Sequence, residues 1–102
     1  MRYLGRMVGE AQLTQDGDPA GRASYEFEGF IEPRGRIVGS GQIQMSRPDL
    51  EAVFGRSGVR LRTDYGRLLD LSFSDRILPP AVDVAHVDVT GDLPNTPAQW
   101  RS

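Results

Sequence analysis

The sequence predicts a mainly β protein: a small six-stranded antiparallel barrel or roll. Two hairpins with glycine-containing three-residue turns predict it, as do apolar residues that sort to one face when those hairpins are paired. The first hairpin is read from Arg22 to Met45 around Glu32-Pro33-Arg34-Gly35-Arg36. Pro suits the first corner of a type I turn, and Gly takes the left-handed position that closes such a loop. With Pro33, Arg34 and Gly35 as the loop, Ile31 faces Ile37, Gly29 faces Gly39, Phe27 faces Gly41, Tyr25 faces Ile43 and Ala23 faces Met45. The other side then carries Phe30 with Val38, Glu28 with Ser40, Glu26 with Gln42 and Ser24 with Gln44. One face is apolar and the other mostly polar, as a sheet with one buried side requires, and a one-residue slip would destroy the sorting.

The second hairpin joins Val59–Thr63 to Arg67–Phe73 across Asp64-Tyr65-Gly66. Leu61 faces Leu69 and Val59 faces Leu71 on the inner side, with Arg60 opposite Asp70 on the outer one. Ahead of the first hairpin, Arg6 to Thr14 alternates as a further strand, with Met7, Gly9, Ala11 and Leu13 on one face. Gln15 to Gly21 reads as a loop by its turn residues. Between the hairpins, Ser46 to Gly55 reads as a short helix. Ser46 is the candidate cap, Pro48 fits the first turn, and Leu50, Val53 and Phe54 share the face that would plug the sheet. Ser74 to Ala81 is a loop. Val82 to Thr90 is the last strand, and a phase change near Ala85 and His86 predicts a bulge or burial on both faces there.

The order is therefore a three-strand meander, a short helix, a hairpin and a last strand. That layout is similar to the OB-fold barrel, a likeness of element order without a shared motif. Residues 1–92 are read as one domain. Residues 93–102 are read as a flexible C-terminal tail unless Trp100 docks. Gly29, Gly39 and Gly41 all fall on the apolar face, where they predict strong curvature, with space for a ligand as the alternative.

Composition narrows the chemistry. The chain has 102 residues, a net charge of −2 and no Cys, and all twelve basic residues are Arg. An Arg-only basic set fits a GC-rich, bacterial-type composition. Thiol nucleophiles, disulfides, Cys-ligated metals, Schiff-base lysines and P-loop lysines are excluded. The acidic balance argues against a nucleic-acid coat protein. No stretch is apolar and long enough for a signal segment or a membrane span, so the expectation is a cytoplasmic protein away from membranes.

Four clusters are candidates for function. Arg56, Arg60, Arg62 and Arg67 are the candidate anion-binding set on and around the second hairpin. His86 and Asp88 project to one side of the last strand, which admits a small hydrolase around His86, without a Gly-x-Ser-x-Gly elbow to support it. Glu26, Glu28 and Glu32 line one strand face but read as a solvated surface. Asp16-Gly17-Asp18 lacks the rest of a calcium loop and reads as a turn. No catalytic, metal or cofactor-binding residue is assigned, and no cofactor is expected. The leading expectation is a non-enzymatic binding or protein-interaction domain with a protein partner or a second copy of itself. An anion or nucleic-acid binder is the first alternative.

Overall fold

The computed structural model describes residues 1–100. It is a closed barrel of six antiparallel strands with one short helix between the two hairpins. The strands are β1 (Arg2–Gln15), β2 (Asp18–Ile31), β3 (Ile37–Gln44), β4 (Val59–Thr63), β5 (Leu68–Phe73) and β6 (Val84–Gly91). The helix α1 spans Arg47–Val53, and a 3₁₀ turn covers Pro97–Trp100. Around the ring the order is β1-β2-β3-β6-β5-β4, with β4 returning to β1. The element order matches the expected one, and six strands close the barrel where an OB-fold uses five.

Both glycine turns form as the residue pattern requires. Gly35 (φ 91°) donates its N–H to Glu32 O, and Glu32 N–H donates to Arg36 O. The register from Ser24↔Gln44 to Ile31↔Ile37 follows from that turn. Gly66 (φ 95°) donates to Thr63 O in the same way, setting Leu61↔Leu69 and Arg60↔Asp70. The inner positions Met7, Ala11, Leu13, Ala23, Tyr25, Phe27, Ile43, Leu61, Leu69, Val87 and Val89 are buried and form one core. Six strands enclose a space that side chains fill.

Three expectations are corrected. The first two strands run longer than expected and meet at a two-residue turn, Asp16-Gly17, both residues with positive φ. Asp-Gly is the preferred pair for such a turn. Pro19 and Gly21 obscured it: the ladder absorbs them by a register shift between Leu13 and Thr14, and Pro19 lies ahead of the part of β2 that pairs with β3. Ser46 makes no side-chain capping bond to α1, which is closed instead by Pro in its first turn and by Leu50 and Val53 underneath. Of the two alternatives for β6, the bulge is absent. Ala85, Val87 and Val89 point inward in unbroken alternation, and the ladder to β3 is continuous. Val84, half-buried on the outer side, produced the false change of phase.

Each end of the barrel is closed by a different element. At one end, α1 carries the chain across from β3 to β4 and inserts Leu50 and Val53. At the other, residues 93–100 fold back and Trp100 is fully buried. Of the two alternatives for this segment, docking by Trp100 is the one the structure adopts. The indole lies on three glycines: a Cβ at Gly29 would come to 2.2 Å from its ring, one at Gly5 to 2.7 Å from Trp100 Cβ, and one at Gly39 to 3.6 Å. Trp100 Nε1 donates to Pro94 O at 2.7 Å, so the polar edge of the ring is satisfied within its own segment. Ring closure uses only the second half of β1, where Ala11–Gln15 pair with β4. Arg22 on β2 reaches over β1 to the β4–β5 turn and holds Asp64 with two bonds of 2.9 Å.

Candidate interaction surface

Among the described residues the inner-face glycines are accounted for by packing. Gly29 gives its space to Trp100, Gly39 lies in van der Waals range of Val89 and Trp100, and Gly41 lets the β2 backbone at Glu26 and Phe27 approach too closely for any Cβ.

The four candidate arginines lie on or beside the second hairpin, and three of them engage groups of their own chain. Arg56 donates from Nε to Ala52 O at the end of α1. Arg60 pairs with Asp70 at 3.0 Å, across the hairpin as the register requires. Arg67 engages both the backbone oxygen of Asp92 at 3.2 Å and its carboxylate at 3.6 Å. Arg62 is exposed and pairs with no carboxylate among the described residues. The neighbouring Asp64 is taken by Arg22, whose guanidinium holds the Asp64 carboxyl below the usual aspartate range.

His86 and Asp88 both face outward on β6. His86 Nδ1 lies 3.2 Å from Asp75 Oδ2, a pairing with the 74–83 loop that spacing along the strand could not reveal. A shallow hollow of about 260 Å³ lies beside it, lined by Glu26, Glu28, Ser40, Gly41, Gln42 and His86. Gln42 is the direct cross-strand neighbour of His86, while Ser40 is a diagonal one. Diagonal neighbours stand about 7–8 Å apart, a separation that long or aromatic side chains can bridge. Among the described residues the one side-chain hydrogen bond of His86 is the one to Asp75. Glu26 is held by Arg6 at 3.3 Å and Glu32 by Arg36 at 3.7 Å. Among the described residues no three His, Asp or Glu side chains converge as a metal site. Asp16-Gly17 is the β1–β2 turn, with Asp18 opening β2.

On one part of the outer face apolar side chains stand together. Tyr3, Phe30 and Val38 stand side by side on β1, β2 and β3, because Tyr3 pairs with Phe30 and Phe30 with Val38. Tyr3 is 52% exposed, and its ring meets Phe30 edge-on at 5.5 Å between centroids. Phe30 and Val38 are half-buried. The row sits directly behind Trp100, since Gly29 and Gly39, the next residues along the strands, carry the indole on the inner side. A rigid wall therefore backs the patch. Beyond it, at the barrel mouth, the Pro33–Arg36 turn is flanked by two hollows of about 430 and 420 Å³, lined by Met1, Arg2, Ile31 and the turn residues. Arg2 and Arg34 are exposed there and pair with no carboxylate among the described residues.

Phe30 and Val38 were visible as apolar residues on the polar side of the first hairpin, and that misfit was the available signal. Tyr3 was not, because the first strand was expected to begin at Arg6. No family model, curated protein or solved structure matches this chain.

Proposed function

We propose that the protein is a small non-enzymatic protein-interaction domain that docks a partner on the Tyr3–Phe30–Val38 surface. The observation that carries this reading is the side-by-side row of Tyr3, Phe30 and Val38 on the outer side of a barrel whose inner positions are packed, with Tyr3 exposed and Phe30 and Val38 half-buried. Aromatic residues and arginine are enriched at interface centres, where they combine large contact area with little entropy to lose. The supporting wall of Trp100 and three glycines fixes the row before a partner arrives, which reduces the cost of binding. The anion-binding and hydrolase readings have less behind them. Three of the four candidate arginines already engage their own chain, and the one side-chain hydrogen bond of His86 among the described residues goes to Asp75 rather than to a hydroxyl.

The test places a photo-crosslinking phenylalanine analogue at position 3 and, as a control, at position 62 on β4, opposite Gln12 near the other end of β1, in cells that express the protein. A discrete adduct is expected from position 3, with none from position 62, and Val38→Asp should abolish it. No adduct at position 3, or equal adducts at both positions, overturns the proposal.

A further inference from the structure

We infer that the end of the barrel closed by Trp100 is a binding site for a tryptophan-bearing peptide segment. In a single chain it is filled by that chain's own residues 93–100, and the same segment of a second copy can fill it instead. This site is separate from the Tyr3–Phe30–Val38 surface, which lies on the outer side of the same strands. The shape of the seat is the first argument. Gly5 on β1 and Gly29 on β2 leave a slot for the indole, and a methyl at either position would overlap Trp100. The two glycines are direct partners in the β1–β2 ladder, so the slot belongs to the barrel and exists whichever chain supplies the ring.

The way the segment is held is the second argument. Up to Asp92 the chain is tied to the second hairpin: Asp92 N–H donates to Leu68 O, and Arg67 engages the backbone and carboxylate oxygens of Asp92. Beyond it, Leu93 N–H donates to Gly91 O and Gln99 N–H to Thr96 O, both close neighbours in the chain. Among the described residues no backbone hydrogen bond joins residues 94–100 to a strand. Trp100 Nε1–H donates to Pro94 O, so the segment carries the hydrogen bond of its indole with it. It meets the barrel by packing alone, through Leu93, Pro94 and Trp100. Such contacts form from another molecule as they do from the same one. The segment in cis wins by an effective concentration of about millimolar for a short linker. A chain without its own tryptophan leaves the seat to another copy, and exchange of an identical element between copies is a low-cost route to association.

The experiment divides the site between two full-length variants. Trp100→Ala keeps the seat and lacks the ring; Gly29→Ala keeps the ring and blocks its own seat. The chain has a single tryptophan, so fluorescence in the mixture reports only on Trp100 of the Gly29→Ala variant. Alone, that variant is expected to emit as a water-exposed tryptophan and to be quenched by iodide. Added Trp100→Ala should shift the emission to the blue, protect it from iodide, and give a heterodimer in sedimentation velocity. Where circular dichroism shows either variant unfolded, Trp100→Phe replaces the first and a synthetic peptide of residues 92–100 replaces the second, with the same fluorescence readout. A tryptophan that serves its own chain alone would give no shift in either mixture, and that result overturns the inference. A shift of equal size with the double variant Gly29→Ala/Trp100→Ala, whose seat is blocked, overturns it as well.

Discussion

At the scale of single residues, the barrel tolerates one polar atom it does not use. The Tyr25 hydroxyl is buried and has no hydrogen-bond partner among the described residues. Its ring lies over Gly9, where a Cβ would come to 2.8 Å from the hydroxyl, and stacks on Phe27 at 5.1 Å. Burial pushes its pKa up, with the nearby Tyr65, Asp64 and Glu10 adding to the effect. An unsatisfied buried hydroxyl costs about 1–3 kcal/mol, so its removal should not weaken the fold. Tyr25→Phe is expected to leave the urea midpoint unchanged or to raise it, by up to about 1 kcal/mol. A clear loss of stability would show that the hydroxyl has a partner in solution.

At the scale of elements, the hairpins were legible residue by residue and the docking of the C-terminal segment was not, for one physical reason. A tight turn is a local event: Pro33, Arg34 and Gly35 decide their own geometry, and the pairing from Ala23 to Met45 follows. Trp100 depends on Gly5, Gly29 and Gly39, which sit on three strands and come together only when the sheet has curled. The glycines announced themselves as a pattern on the inner face, but nothing near them in sequence names what fills the space. The same limit hid the Asp75 partner of His86 and the Arg22 clamp on Asp64. The β1–β2 turn failed differently, because Pro19 and Gly21 carry strong loop signals that a register shift absorbs. The Trp100 seat can be tested by a double-mutant cycle. Trp100→Ala alone should cost about 3–5 kcal/mol by leaving a cavity. Gly29→Ala alone should also destabilise, since its methyl would overlap the ring. Combined, the two should cost less than their sum, by about 0.5–3 kcal/mol, because the clash disappears with the indole. Strict additivity in urea denaturation would separate Gly29 from Trp100.

At the scale of the whole molecule, closure joins a long first hairpin to a short second one along a seam of only five residue pairs, from Ala11↔Thr63 to Gln15↔Val59. The Arg22–Asp64 pair crosses that seam on the outside, both side chains about half exposed. Asp64 has its pKa depressed, chiefly by the hydrogen bonds from Arg22. A carboxyl held below its unfolded value stabilises the fold at pH above that unfolded value, and the contribution is lost as pH falls through the folded one. Arg22→Ala should therefore move the Asp64 titration midpoint upward in carbon-detected NMR. The stability gap between wild type and Arg22→Ala should be small at neutral pH, shrink with salt, and close in acid once Asp64 is protonated. A midpoint that does not move would place the carboxylate out of reach of the guanidinium.

The seat beneath Trp100 also bears on how such a chain can diverge. Two glycines far apart in sequence, Gly5 and Gly29, and one bulky aromatic answer to a single volume, so none can drift by itself. A descendant that gains a methyl at position 29 must shed the indole, and one that loses the indole must refill the hollow from the strands around it. Positions 5, 29 and 100 should accordingly be inherited as a linked set. That trio is a fingerprint by which distant kin could be found when little else in their sequences agrees.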